Sequence, residues 1–237
     1  MGFNLSADLT VRDIATRQRF FAEDTPLEQY GGYVAPKGST LTTPVNVNGS
    51  GSVQANGNFS TPLKPLKSVL NCTAGIGYSR RPSYIGEELD YTNSLSPRIG
   101  VHLTGNQSTV CQFSLSANLS YNHSSNSLRD DNSTITQQTG AQVRVNFLKH
   151  AYFETNYAYY LYHSFSYAGG DVDTHTWNLS LGVKLFKNRS GDISLTVYDI
   201  LNRNESFTSS MMSDYVTNNW SRMFGRYWTI GIGYKFN

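Results

Sequence analysis

The stretch Arg226–Asn237, which reads RYWTIGIGYKFN, decides the fold. Every second residue in it is large and apolar: Trp228, Ile230, Ile232, Tyr234 and Phe236. The residues between them are small or polar, which is the side-chain period of a β-strand with one apolar face. Aromatic residues stand at both ends of that face with isoleucine between them, as is typical of a membrane-crossing strand. We therefore interpret these five residues as a membrane belt on a strand that acts in assembly of the protein.

The composition favours a membrane β-barrel over a helical membrane protein. Charged residues make up 15% of the 237 residues, against roughly 25% in ordinary soluble domains. The mean hydropathy is −0.41, and no run approaches the roughly 18 apolar residues that a membrane helix needs. A barrel is compatible with these values because its strands carry apolar residues only in alternation. The net charge of +2 gives no reason to expect a nucleic-acid partner.

The alternation recurs along the chain and predicts about ten strands. The predicted strands are 3–21, 43–61, 67–81, 94–105, 109–123, 133–148, 151–166, 173–187, 192–200 and 226–237. Short turns, such as Asn106-Gln107, alternate with long polar loops, of which 22–42 and 201–224 are the longest. This connectivity is typical of an outer-membrane barrel with periplasmic turns and extracellular loops. The sequence thus predicts an all-β fold, an antiparallel transmembrane β-barrel that occupies residues 1–237.

Aromatic residues are predicted at two levels of the strands. Near the long loops stand Tyr78, Tyr121, Trp177, Tyr198 and Trp228, and near the short turns stand Phe59, Phe113, Phe147, Phe153 and Phe236. Two such levels with aliphatic residues between them match the two interfaces of a membrane. Cys72 and Cys111 fit the apolar faces of strands that are not neighbours, so we expect no disulfide between them.

Few residues suggest chemistry beyond the barrel itself. Cations predicted to face the lumen are Arg12, Arg98, Arg144, Lys184 and Lys235, opposed by Asp8 and Glu154. They predict either a network that fills the lumen or a selectivity for anionic solutes. The alternating Asp171, Asp173 and His175 suggest a metal site, but without a second cluster a solvated loop edge is favoured.

The remaining candidates concern catalysis and ligand stacking. The histidines His102, His123, His163 and His175 are scattered over different strands without a paired acid in sequence. We therefore expect no catalytic residue, no metal and no cofactor. The loop tyrosines Tyr30, Tyr33, Tyr84 and Tyr91 either stack on a ligand such as a sugar or belong to the upper aromatic level.

The last part of the chain carries a family resemblance. Val197–Asn204 reads VYDILNRN, Met223–Phe236 reads MFGRYWTIGIGYKF, and Tyr78–Tyr84 reads YSRRPSY. These segments resemble the C-terminal β-barrel region of TonB-dependent-receptor-like outer-membrane proteins of Bacteroidetes type. The resemblance implies location in the cell outer membrane, transport, and partnership with outer-membrane lipid and the barrel-assembly machinery.

The chain also departs from that family. Such receptors have a plug domain, a TonB-box segment and a barrel of about 22 strands, whereas this sequence shows no plug and about ten strands. Met1–Val11 already alternates and lacks the pattern of a secretory signal. We expect either the C-terminal part of a larger receptor-like barrel, whose missing N-terminal part is then a partner, or a small stand-alone barrel with structural or adhesive loops. A soluble β-sandwich or lipocalin-like binder is a third interpretation.

Overall fold

The structure is a computed structural model that describes residues 2–10, 13–105, 109–166, 171–203, 205–211, 216–222 and 224–236. Within these ranges there are sixteen β-strands, two one-turn 3-10 helices (Glu28–Tyr30 and Lys64–Leu66) and no α-helix. In chain order the strands are β1 Gly2–Thr10, β2 Asp13–Phe20, β3 Thr25–Leu27, β4 Tyr33–Ala35, β5 Thr40–Val47, β6 Ser50–Leu63, β7 Ser68–Ile85, β8 Glu88–Gly105, β9 Cys111–Asn126, β10 Asn132–Phe147, β11 Ala151–Ser164, β12 Val172–Leu185, β13 Gly191–Tyr198, β14 Glu205–Met211, β15 Val216–Arg222 and β16 Tyr227–Tyr234.

Ten of these strands form a single antiparallel sheet. Their order is β1-β6-β7-β8-β9-β10-β11-β12-β13-β16. The prediction of an all-β antiparallel fold with ten main strands is therefore confirmed. Apart from the small hairpins inserted after β1 and after β13, each strand pairs with the next one along the chain. Within the described residues, β1 and β16 each have one neighbour in this sheet, so each leaves one edge without a strand partner.

The connections lie on two sides of the sheet. Short connections join β6 to β7, β8 to β9, β10 to β11 and β12 to β13. The predicted turn at Asn106-Gln107 belongs to the connection between β8 and β9 and lies outside the described residues. We call this side the short-turn end and the other the long-loop end. Non-glycine residues adopt the left-handed conformation in three of the short turns, among them Leu148 (φ 60°) and Phe186 (φ 65°).

The first long connection is more structured than the sequence predicts. The predicted strand 3–21 is wrong, because β1 ends at Thr10 and β2 leaves the sheet to pair with β5. The predicted loop 22–42 contains the hairpin of β3 and β4. The predicted strand 43–61 is two strands, β5 and β6, since Gly49 between them has a φ of 86°. A left-handed residue there breaks the alternation, and glycine adopts that conformation without a steric cost.

Other long connections differ as well. The predicted loop 82–93 is mostly strand, because β7 and β8 continue until they meet at a turn that contains Gly86 (φ 62°). The predicted loop 201–224 contains the hairpin of β14 and β15. Gly169-Gly170, predicted as part of a loop, lies outside the described residues.

Across the sheet the strands lengthen from β1 (9 residues) and β6 (14 residues) to β7, and they shorten from β8 to β16. The strands β7 and β8 have 18 residues each, β9 and β10 have 16, β11 and β12 have 14, and β13 and β16 have 8. Since the short turns keep one side of the sheet even, the extra length of β7 and β8 lies toward the long-loop end.

The sheet lacks a conventional hydrophobic core in the described part of the chain. The buried apolar residues there are Phe21, Leu27, Ala35, Val47, Tyr152 and Val172. Phe21, Leu27 and Ala35 form a small cluster with the partly buried Leu41, which holds the inserted hairpins together. The apolar residues of the main sheet must therefore be stabilised by something other than packing within these residues.

Candidate functional site

One face of the ten-stranded sheet is apolar from edge to edge. Residues directly opposite each other in an antiparallel pair point to the same face, so the register defines this face. Each of the nine strand pairs contributes at least one apolar pair to it: Leu5↔Ala55, Ala55↔Ile76, Ile76↔Pro97, Ile99↔Leu119, Phe113↔Val143, Val145↔Phe153, Phe153↔Leu181, Leu181↔Leu195 and Leu195↔Ile230. The side chains of β11 lie on the predicted faces: Phe153 lies on the apolar face, and Glu154 lies on the opposite face.

The apolar face is exposed although its side chains are large. Leu5 is 66% exposed, Leu181 is 53% exposed and Ile232 is 80% exposed. Soluble proteins rarely expose contiguous apolar patches of more than a few hundred Å², and this face spans ten strands. An exposed apolar surface of this extent is typical of an interaction site.

The predicted belt residues of the last strand lie on this face. Trp228, Ile230 and Ile232 are opposite Val197, Leu195 and Ile193 of β13. Phe236 follows the end of β16, and its ring contacts Tyr234 in an edge arrangement at 4.8 Å between centroids. The ring of Phe186, which the sequence analysis did not single out, lies 6.0 Å from Tyr234. The short-turn end of this strand thus carries a cluster of three aromatic rings.

The aromatic residues near the long loops do not all share that face. Trp177 is opposite Tyr157 on the apolar side, and its indole nitrogen donates a hydrogen bond to Thr155 Oγ1 at 2.8 Å. Tyr198 is different: it follows Val197, so it points to the opposite face, where it stacks on Tyr227 at 4.7 Å. Alternation along β13 requires this, and Tyr198 therefore does not belong to the aromatic level of the apolar face.

The opposite face is polar, and its charges are paired. Arg144 and Glu154 form an ion pair at 3.4 Å, and Gln142 donates a hydrogen bond to the same carboxylate at 3.2 Å. Lys184 contacts Asp192 at 2.6 Å. Asp192 was not predicted as a site residue, because only the register of β12 and β13 places it opposite Lys184.

Tyr152 links these two ion pairs. Its hydroxyl donates to Asp192 Oδ1 at 3.1 Å, and the Arg144 guanidinium lies 4.1 Å from its ring centroid. The ring lies across Gly182, where a Cβ atom would be only 2.2 Å from it. A glycine therefore makes room for the buried tyrosine that joins the two charged pairs.

The other predicted lumenal charges are spread along the sheet. Arg98 donates a hydrogen bond to Asn56 across the polar face. Asp8 lies beside Asp13 and Arg81 in a cleft at the long-loop end. Lys235 follows the end of β16, where its backbone nitrogen bonds to Ser190 at 2.8 Å, and Arg12 lies outside the described residues. The charges form local networks and not one continuous stripe.

At the long-loop end, Asp90 clamps the connection between β9 and β10. It is fully buried, and its carboxylate accepts hydrogen bonds from the backbone nitrogens of Ser127 and Leu128 at 2.9 and 3.1 Å. Ser127 Oγ donates at 2.8 Å, and Arg129 forms an ion pair at 3.0 Å. Burial by itself raises the pKa of Asp90, but these hydrogen bonds outweigh it and hold the pKa below the ordinary 3.8.

The loop tyrosines fall into two groups. Tyr30 and Tyr33 line a cleft of about 450 Å³ beside Phe21, Leu27 and Leu41. Tyr84 and Tyr91 lie on the extended hairpin of β7 and β8, where Arg80 lies 4.3 Å from the Tyr91 ring centroid and Arg17 of β2 lies 5.8 Å from that of Tyr84. The structure therefore does not bring the four tyrosines together into one stacking surface.

The acidic and histidine candidates form separate pairs. Asp171 contacts His163 at 2.8 Å, and Asp173 contacts His175 at 3.0 Å. Tyr157 contacts the other ring nitrogen of His175 at 2.7 Å. Within the described ranges, no group of three or more His, Cys, Asp or Glu side chains has the geometry to hold a metal ion. Sequence reasoning missed the pairing of Asp171 with His163, because it joins the end of β11 to the residue before β12.

None of the described helices is long and apolar enough to cross a membrane. No family model matches the chain, and no curated protein and no solved structure shows significant similarity to it.

Proposed function

We propose that this chain is an outer-membrane β-barrel protein of the receptor or transporter type. The observation that carries the proposal is the exposed apolar face that continues across all ten strands. Lipid is the environment that such a face requires, and strands cross lipid as closed barrels because an unpaired edge leaves N–H and C=O groups without partners. The polar face, with its ion pairs around Tyr152, would then line the lumen.

The free edges of β1 and β16 favour a place within a larger barrel. In lipid, each unsatisfied backbone group costs several kcal/mol, so both edges need a partner strand. Strands supplied by a longer receptor-like chain would satisfy both edges and widen the lumen. This matches the resemblance of the segments Val197–Asn204 and Met223–Phe236 to the end of a receptor barrel.

A stand-alone barrel with structural or adhesive loops is the second candidate. The structured long-loop end favours it, since the hairpins of β2 with β5 and of β14 with β15 make an elaborate surface there. In that case β1 would pair directly with β16 and close a narrow barrel whose lumen is filled largely by side chains.

Refolding tests the proposal and separates the two candidates. The protein is refolded from denaturant into detergent micelles, and its migration on a gel with and without boiling is compared beside circular dichroism. A compact β-rich species that shifts on boiling supports a barrel that closes alone. Material that needs detergent but stays open or aggregated supports a chain that needs further strands. Monodisperse folded protein in plain buffer would contradict both membrane candidates.

A further inference from the structure

The short turns repeat one arrangement of side chains. In each of the three turns that the structure describes fully, a large exposed apolar residue is followed by lysine: Leu66-Lys67, Leu148-Lys149 and Phe186-Lys187. We call these six residues the short-turn rim. The turns belong to three different strand pairs, so the repetition does not follow from a single local sequence.

The backbone indicates that the apolar residues have a role. Leu148 and Phe186 adopt left-handed conformations, which cost a residue with a Cβ atom free energy that glycine avoids. Leu148 is 84% exposed and Phe186 is 61% exposed, so packing within the described residues offsets little of that cost. Strain kept at exposed apolar positions points to a contact outside the chain.

The charge of the two ends is unequal. The short connections contain no Asp or Glu, whereas the long-loop end carries acidic residues such as Glu23, Asp24, Glu87, Asp130 and Asp131. Glu154 and Asp192, the acids nearest to the short turns, are already paired with Arg144 and Lys184 on the polar face. Lys67, Lys149 and Lys187 form no ion pair among the described residues. The short-turn rim is therefore a cationic border.

At the turn between β12 and β13 this border is continuous with the exposed apolar face, whereas Leu148 and Lys149 line a cleft beside Arg144 and Tyr152 of the polar face. Phe186 contacts Tyr234, which belongs to that face, and Lys187 follows directly. A lysine side chain can lie along apolar surface while its ammonium group stays in the polar layer. A ring of apolar side chains with ammonium groups beside them suits a lipid surface in which phosphate groups lie next to acyl chains.

We propose that the short-turn rim binds the head groups of anionic phospholipids, with Lys67, Lys149 and Lys187 contacting phosphate and Leu66, Leu148 and Phe186 entering the acyl boundary. The proposal rests on the membrane location proposed above. An acidic protein would match the lysines, but it would not account for the exposed Leu66 or for the exposed Leu148 and Phe186 in left-handed conformations. A lipid leaflet accounts for both.

The test compares two triple variants with the same change in charge. One variant carries Lys67→Gln, Lys149→Gln and Lys187→Gln in the short-turn rim. The control carries Lys37→Gln, Arg81→Gln and Arg203→Gln, three exposed cations of the long-loop end. Association of a fluorescent phosphatidylglycerol with the refolded protein in uncharged micelles is measured against phosphatidylcholine, and the boiling shift verifies folding of each variant.

We expect the wild type and the control to prefer phosphatidylglycerol. Each neutralised lysine weakens association about fivefold, so the rim variant should lose on the order of a hundredfold if the three effects are additive. Equal losses in both variants, or no preference in the wild type, would overturn the proposal. Competition by soluble polyglutamate as strong as by phosphatidylglycerol would overturn it in favour of an acidic protein partner.

Failure of this inference is distinguishable from failure of the membrane assignment. A wild type that folds in phosphatidylcholine bilayers, with a boiling shift but without preference for the anionic lipid, contradicts the rim proposal alone. A wild type that is folded and monodisperse without lipid or detergent contradicts the membrane location, and the rim proposal with it.

Discussion

Replacement of Ile232 by arginine tests whether the apolar face meets lipid. Ile232 is midway between Trp228 and Phe236, the aromatic ends of the belt. The strand rises about 3.3 Å per residue and barrel strands tilt by about 40°, so the two aromatic ends are about 20 Å apart along the membrane normal. Ile232 therefore lies near the middle of the bilayer, where arginine costs about 2–4 kcal/mol.

The same substitution has a very different expected effect if the face meets water. Ile232 is 80% exposed and β16 is an edge strand of the sheet. Surface substitutions of exposed residues usually change the free energy of unfolding by no more than about 0.5 kcal/mol. The two environments thus predict effects that differ by at least about 1.5 kcal/mol.

A matched control is available at the next residue. Gly233 lies at nearly the same depth and points to the polar face, where the nearest atom to an added Cβ is Asp192 Cβ at 3.8 Å. Gly233→Arg should therefore cost much less than Ile232→Arg. Gly231→Ser on the same polar face should also cost little, since only the Ser194 hydroxyl, 2.9 Å from an added Cβ, has to move.

The assay is reversible unfolding by urea in lipid vesicles, followed by tryptophan fluorescence and by the boiling shift. A cost of about 2–4 kcal/mol for Ile232→Arg with a small cost for Gly233→Arg supports lipid contact. Equal costs for the two arginine variants would refute the assignment of faces, and a negligible cost for Ile232→Arg would refute the lipid contact.

Three further outcomes follow from the polar face and the long-loop end. Gly182→Ala should destabilise the protein by about 1–3 kcal/mol because the added Cβ meets the Tyr152 ring, whereas Gly77→Ala, with no atom within 4 Å, should be near neutral in the same urea titration. Asp90→Ala should accelerate proteolysis of the 127–131 connection, since it removes the carboxylate that pairs with Arg129 and accepts hydrogen bonds from two backbone nitrogens; Asp130→Ala, at an exposed position, should not. Because the folded-state pKa of Asp90 is lowered, its stabilisation is fully present above its unfolded pKa of about 3.8 and is lost as pH falls through the lower folded value. The protection of the Ser127 and Leu128 amides against hydrogen exchange, relative to the intrinsic rate at each pH, should therefore persist down to about pH 3.8 and fall below it; a loss of protection that begins well above that value would contradict the clamp.

The alternating pattern was sufficient to predict that the main sheet has ten strands and to predict most of their faces, but it did not predict the bounds of the first two strands. The alternation of apolar and small residues along β16 places Ile230 and Ile232 on one face of the strand. In the structure they lie opposite Leu195 and Ile193 of β13. Most large apolar side chains of these strands lie on one exposed face, so their period of two is not mixed with the packing constraints of a buried core. The prediction is wrong for an aromatic residue at the end of a strand. Tyr198 was assigned with Trp228 to the aromatic level near the long loops, but its position after Val197 requires that it point to the opposite face.

The structure of the long-loop end could not be predicted from the two-residue alternation of apolar and polar side chains alone. The strands β3 and β4 have three residues each, too few for alternation to show. The Asp90 clamp joins residues 37 to 39 positions apart, and no local pattern marks such a contact. Likewise, the pairing of Lys184 with Asp192 depends on the turn 186–190, because the turn sets the register of β12 and β13.

The shortening of the strands from β7 to β16 gives the long-loop end of the proposed barrel an oblique edge. The strands β7 and β8 exceed β13 and β16 by ten residues, 18 against 8. With the short turns level at one membrane surface, this difference raises one wall about 25 Å above the other at the opposite surface. A large solute arriving from outside would meet a high wall at β7 and β8 and a lower sheet edge at β13 and β16. The β14–β15 hairpin is inserted between β13 and β16 at this end, so a solute arriving over the lower side would meet that hairpin, with the β7–β8 wall opposite.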